Sequence, residues 1–250
     1  MLVRLHPDLV IKGRSIYDQA LDVRYRVTDD AALLLRYLRQ AGAVDRMVRT
    51  VASKRSVSVD EVRTALYMLL GILDGYGGVV VREVSVYERF RSIRRNVRWL
   101  TRYPGTGKGF VRSMMRAYLW PALFGTAAFC GIWFASRASL PGAWILLPPG
   151  LLATCVVHEA GHALAAHHVR VRQVFLAKPG FAAVLYARPK HDQERLIALC
   201  GPLAAILLCM VVAIAVQSPI CRLVCLTAAL IHVCSIVPWT ADGKTIWRKP

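Results

Sequence analysis

Thr154-Cys155-Val156-Val157-His158-Glu159-Ala160-Gly161-His162-Ala163-Leu164-Ala165-Ala166 is the stretch on which the reading of the fold turns. It sets an H-E-x-x-H pattern inside an almost unbroken apolar run. On a helix, His158 and His162 stand four residues apart on one face, so both imidazoles reach one metal ion, and Glu159 sits beside them to take a proton from water. Short patterns do recur by accident, and a lone buried histidine is more often a hydrogen-bonded core residue than a ligand. Cost argues against that here. Three ionisable side chains within about one and a half helical turns are expensive to hold at membrane depth, and such groups are functional by default.

Outward from the motif, four apolar stretches cover about 118–136, 143–167, 196–217 and 219–239, each near the length that a hydrocarbon core demands. The chain is 56% hydrophobic yet carries a net charge of +18, a pairing that soluble globules rarely show. The expected fold class is therefore mixed: an α+β winged-helix-like domain over 1–88, a basic juxtamembrane linker over 89–117, and an all-α membrane domain of about four transmembrane helices over 118–250. No signal peptide is read at the start, so the front is expected in the cytosol of a multi-pass protein of the cell membrane. Basic residues agree with that topology. Arg170, Arg172, Lys178, Arg188, Lys190 and Arg195 fall between the second and third spans and Lys244, Arg248 and Lys249 after the fourth, against Arg137 and Arg222 in the outer turns. His162 then lies about 9 Å from the cytosolic end of its helix at about 1.5 Å per residue. Pro148-Pro149-Gly150 is expected to bend or interrupt the second span. The seven cysteines lie in or beside the apolar stretches without C-x-x-C spacing, which excludes a disulfide framework and leaves them as small packing residues.

In the front part, Leu21, Val23, Tyr25 and Val27 alternate with polar residues as a half-buried strand does, and Leu9 to Ile11 is expected to pair with it across Gly13. Thr28 caps a first helix with Asp29 and Asp30 in its first turn. Val44, Met47, Val48 and Val51 carry a second. Ser58 and Glu61 form a capping box for a third, whose Val62, Leu66, Leu69, Leu70 and Leu73 face inward until Gly75. A strand over 79–86 closes the unit. This order, carried by Tyr25 to Ala32, Val57 to Val62 and Leu73 to Gly78, resembles the peptide-binding domain of pyrroloquinoline-quinone biosynthesis, the RiPP recognition element. The resemblance implies capture of a precursor's leader peptide as an added strand, with the third helix as the other wall.

A DNA-binding winged helix would present basic residues at the start of its third helix, and this one begins with Asp60 and Glu61, so no nucleic acid is expected as a partner. The arginines at 89, 91, 94, 95, 98 and 102 precede the first span, where basic residues favour the cytosolic side and bind anionic lipid headgroups. Tyr103 to Gly109 is a linker by composition, and its Gly107-Lys108 lacks the hydroxyl residue and earlier glycine of a nucleotide loop.

Catalytic zinc takes three protein ligands. For the third, His168 follows at metzincin spacing but Ala165 stands where that turn needs glycine, and Glu194 lies in a charged cluster, His191 to Arg195, that reads as a solvated loop. Asp242 is the acidic residue at the end of the fourth span and is chosen. The set His158-Glu159-Ala160-Gly161-His162, then Gly201-Pro202-Leu203-Ala204, then Pro238 to Asp242-Gly243 is similar to the site-two protease family of intramembrane metalloproteases. The resemblance implies Zn2+ held by His158, His162 and Asp242, with Glu159 as catalytic base. Ala205 and Ser235 stand where that family carries asparagines, which leaves the oxyanion donor and the substrate-binding residues unassigned. Val174 to Ala177 and Phe181 to Tyr186, around Pro179-Gly180, are read either as a hairpin offering its edge to an unwound substrate or as a cytosolic loop.

The function expected is leader removal from a ribosomally made, modified precursor peptide. Regulated intramembrane proteolysis of a membrane-tethered signalling factor is the enzymatic alternative. A membrane-anchored peptide chaperone or DNA-binding protein is the non-enzymatic one.

Overall fold

A computed structural model describes residues 2–39, 42–83, 100–136, 145–187 and 189–248. The chain divides into two compact units, Met1–Pro104 with Leu176–Lys178, and Gly105–Phe175 with Pro179–Pro250. Both small antiparallel sheets and long helices are present.

In the first unit the strands are β1 (Leu2–Leu5), β2 (Leu9–Lys12), β3 (Ser15–Asp18), β4 (Val23–Arg26), β5 (Gly42–Ala43), β6 (Val79–Glu83) and β7 (Thr101–Pro104), and the helices are α1 (Asp29–Arg39), α2 (Val44–Arg55) and α3 (Val59–Gly75). β2, β3 and β4 form an antiparallel meander, while β1 lies between β5 and β6. The partner expected for β2 is therefore corrected. Gly13, at φ 58°, turns the chain at once, so Leu9 to Lys12 pairs with Ser15 to Asp18, and only β3 reaches β4. The tight turn makes the nearest antiparallel partner the favoured one. Thr28 caps α1 through its hydroxyl to the Ala31 N–H at 3.3 Å. Ser58 and Glu61 cap α3 reciprocally at 3.1 and 3.0 Å. Val62, Leu66, Leu70 and Leu73 of α3 are buried with Leu35, Val48 and Val79 in one core, each worth about 1.5–3 kcal/mol of transfer free energy.

The linker reading is corrected at its C-terminal end. Leu100 donates its N–H to Asp74 at 2.8 Å, and Arg102 makes a buried bidentate pair with Asp18 at 2.8 and 2.6 Å. Arg102 therefore belongs to the first unit's interior and is removed from the basic headgroup run. The other arginines of that run, 89 to 98, and the end of the expected strand, 84–86, lie outside the described residues.

The second unit comprises α4 (Gly107–Ala135), α5 (Leu147–His168), β8 (Gln173–Lys178), β9 (Phe181–Tyr186), α6 (His191–Ala215), α7 (Pro219–Cys234) and α8 (Ala241–Ile246), with three residues of β8 grouped with the first unit. Thr106 caps α4 through the Gly109 N–H at 3.2 Å, so the glycine-rich stretch begins a helix. Among the described residues, two helices, α4 and α6, are long and apolar enough to cross a membrane. Of the other two expected spans, α7 is apolar but has 16 residues, about 24 Å at the helical rise, and α5 carries the polar motif. Outward-facing Phe124, Phe134, Leu207 and Ile214 leave α4 and α6 with apolar surface that water does not favour.

Three local expectations are corrected. Pro148 and Pro149 fall in the first turn of α5, where a missing N–H costs nothing, so they start the helix instead of bending it. His191 to Arg195 is the first turn of α6, held by Gln193 accepting the Lys190 N–H at 3.0 Å and favoured by Asp192 and Glu194 at the positive end of the helix. The chain also leaves α7 at Cys234 and turns before α8, so the fourth apolar stretch ends earlier than its hydropathy suggests.

Candidate metal centre

α5 places the histidines as their spacing predicts. The imidazoles of His158 and His162 meet edge to face at 4.7 Å between centroids, with Nε2 atoms 3.0 Å apart. His162 is set by α6. Its Nδ1 lies 2.7 Å from the carbonyl oxygen of Ile197, which only accepts, so Nδ1 carries the proton and neutral His162 presents a lone pair at Nε2. Gly201 makes room for that ring, since a Cβ there would collide with its Cε1, Nε2 and Cδ2 atoms. Immediately before His162 on α5, Gly161 lets the helices approach, because a Cβ would run into the Cys200 carbonyl. Pro202 then denies the Ala198 carbonyl its helical donor and loosens α6 beside the site. The Gly-Pro pair is thus part of how the site is shaped.

Asp242 comes from α8. Thr240 caps this short helix by accepting the Gly243 N–H at 3.1 Å, and Gly243 also donates to the Ser235 carbonyl at 3.2 Å. A side chain at 243 would strike the Val237 carbonyl, so the glycine after Asp242 is required by the close fold of the turn. The carboxylate lies 3.2 Å from His158 Nε2 and 3.5 Å from His162 Nε2. Burial alone would raise its pKa, but in the metal-free site hydrogen bonds from the two imidazoles, which then carry protons at Nε2, outweigh burial and hold it well below the usual carboxylate range. His158, His162 and Asp242 could hold a metal ion, one ligand atom from each lying within 4.8 Å of the others. The donor set fits a divalent cation. With Nε2 unprotonated, the lone pairs of both imidazoles and the Asp242 carboxylate converge, and a divalent cation would take the place of the protons that bridge them in the metal-free site.

No known family, no curated protein and no solved structure matches this chain.

Glu159, between the two histidines in sequence, interacts electrostatically with both and with Asp242, and lies near the Val184 backbone in β9. Two residues along the same strand, the Ala182 backbone lies near Tyr118 of α4. Alternate positions of β9 thus face the α5 carboxylate and an α4 phenol. Both β8 and β9 form as strands, so the segment is a hairpin and the second unit is not all-α as expected. Burial, with Glu194 and Asp242 nearby, pushes the Tyr186 phenol at the end of β9 up to about 12, so it keeps its proton at neutral pH.

The other ligand candidates lie elsewhere: His168 is exposed at the end of α5, and Glu194 is in the first turn of α6. At the two positions departing from the resembled family, Ala205 is fully buried and Ser235 donates its hydroxyl to the His232 carbonyl at 2.7 Å, so neither supplies an oxyanion donor. A cavity of about 420 Å³ lined by Phe110, Ala160, Ala163, Leu164 and His167 is separate from the ligands. At about 100° per residue these α5 positions fall on the face opposite His158 and His162.

Sequence reasoning missed His232 and Tyr118. His232, only 6% exposed, stacks on His158 at 5.1 Å between centroids. Its signal was present: an ionisable residue in the apolar run of α7, subject to the same cost rule that singled out the motif. Tyr118 gave no such signal, because a tyrosine at the end of an apolar stretch is an ordinary interfacial residue.

Proposed function

We propose that the chain is an intramembrane zinc metalloprotease that removes the leader from a ribosomally synthesised, modified peptide precursor. The observation that carries this is the convergence of two imidazoles and a carboxylate within 4.8 Å, with a second carboxylate, Glu159, beside them and not among the ligands. Zinc bound there would supply Lewis acidity toward the scissile carbonyl and acidify water.

The chain's own residues do the rest. His158, His162 and Asp242 hold the ion, and Glu159 takes a proton from the attacking water and returns it to the leaving amine. β9 offers backbone hydrogen bonds to a substrate strand, as a peptide unwound in a low-dielectric setting requires. In this proposal α4, α5, α6 and α7 cross a cell membrane, with the first unit and the metal side in the cytosol. The charge of arginines 89 to 98 would attract anionic headgroups.

Leader capture is assigned to the first unit. Its edge strand β4 pairs with β3 alone among the described residues. Met68, Ile72 and Tyr76 form an exposed apolar row along α3, and Tyr76 meets Tyr25 of β4 at 5.6 Å between ring centroids. An added strand on β4 would find its apolar wall in that row.

The test is co-expression of wild type and Glu159→Gln with small precursor peptides, read by mass spectrometry alongside zinc content. Glu159→Gln should keep metal and lose turnover by about 10²-fold or more. Leader-free product from both proteins, or from neither, overturns the proposal. Cleavage only of substrates that carry their own membrane span favours regulated intramembrane proteolysis.

A further inference from the structure

His232 is a buried ionisable side chain with no part in the chemistry above, yet it lies against a metal ligand. Its Nδ1 is 3.1 Å from Nδ1 of His158, and its Nε2 is 3.0 Å from Oγ1 of Thr154. Thr154 in turn donates its hydroxyl to the Leu151 carbonyl at 2.8 Å. These three bonds form one directed chain, because its last acceptor has no proton to give.

The direction follows link by link. The Leu151 oxygen only accepts, so the single Thr154 hydroxyl proton is committed to it. Thr154 Oγ1 must then accept from His232, which puts the His232 proton on Nε2 and leaves a lone pair on Nδ1. That lone pair faces His158 Nδ1, which must therefore carry the proton. His158 is left with its lone pair on Nε2, the atom 3.2 Å from Asp242 and 3.0 Å from His162 Nε2. The reverse order would set two lone pairs or two protons against each other at one of the links. His162 gets the same tautomer more simply, from the Ile197 carbonyl.

We infer that His232 is a positioning residue that sets the tautomer and ring orientation of the metal ligand His158. The inference rests on the proposed metal site and deepens it. Metal-binding histidines regularly donate their second N–H to an oxygen, and loss of such a partner costs about 10- to 100-fold in metal affinity or activity. Here a neutral imidazole takes the place of that oxygen. It is held by α7 and by Thr154, one turn before the ligand on α5. His232 bonds the His158 nitrogen opposite to the one near Asp242 and His162, so it stands outside the ligand set.

The test measures metal affinity, by competition with a graded chelator, on the purified full chain. Coordination is read from the visible spectrum of the Co2+-loaded protein. His232→Leu removes the acceptor and should weaken metal binding about 10- to 100-fold while still reaching one ion per chain at saturation, with an unchanged Co2+ spectrum. His232→Asn, whose Oδ1 takes the place of Nδ1, should recover most of the loss. Thr154→Val keeps the packing shape, should weaken binding in the same direction, and should add nothing in the His232→Leu background. It also keeps the inference testable if His232→Leu does not fold. Wild-type affinity in both His232→Leu and Thr154→Val overturns the inference and leaves the metal site standing. A Co2+ spectrum showing a lost nitrogen ligand in His232→Leu also overturns it, by making His232 a ligand. Wild type without stoichiometric metal overturns the metal reading and the inference together.

Discussion

Gly201→Ala puts a methyl group where His162 now stands. A Cβ at 201 would lie 2.8 Å from His162 Cδ2 and closer still to Cε1 and Nε2, whereas carbon atoms rest about 3.5–4.0 Å apart. The ring would have to retreat by roughly 1 Å, but metal–ligand distances are held to about 0.2 Å. The retreat is opposed, because Nδ1 is tied to the Ile197 carbonyl at 2.7 Å. Overpacking of this kind costs about 1–3 kcal/mol. Replacing glycine inside a helix by alanine returns only about 0.5–1 kcal/mol. Metal affinity should therefore fall by about 100-fold or more, or about 2.7 kcal/mol, with a lower thermal midpoint of the metal-free protein. Gly131→Ala is the control: it is also helical, and an added Cβ meets nothing within 4 Å, so both quantities should hold or improve. The assay is metal content after dialysis against a competing chelator, with unfolding followed by tryptophan fluorescence. Wild-type metal affinity in Gly201→Ala would refute the account of how α6 sets His162.

Other outcomes follow from the same geometry. Arg102→Met strands the Asp18 carboxylate in the interior and should destabilise the first unit by about 3–5 kcal/mol, read as faster limited proteolysis. Ser58→Ala removes one half of the α3 capping box and should cost about 0.5–2 kcal/mol, measured by denaturant midpoint. Asp242 has a folded pKa below its ordinary value of about 3.9, so its stabilising contribution is fully present above that pH and is lost as pH falls toward the folded value. The metal-free wild type should accordingly lose thermal stability below about pH 4 more steeply than Asp242→Asn, and parallel curves would contradict the assigned contacts.

The sequence by itself determined whatever local spacing encodes. Ser58 and Glu61 stand three residues apart, the interval a capping box needs, and the structure makes both bonds. His158 and His162 are four apart, which a helix turns into neighbours whatever surrounds it. The inward leucines of α3 were legible for the same reason, since helical period and burial go together. Asp242 was legible only by elimination, 80 residues beyond His162, and packing of α8 brings it to the site.

Tertiary structure alone decided the rest. Leu9 to Lys12 had two possible partners, and the tight turn at Gly13 chose the strand that alternation had not marked. Arg102 looked like one more surface cation until the chain folded its guanidinium onto Asp18. His232 and Thr154 lie 78 residues apart, and nothing in the one announces the other. Hydrogen bonds between distant side chains depend on how helices pack, and that packing is a sum over many apolar contacts, no one of which names its partner in the sequence.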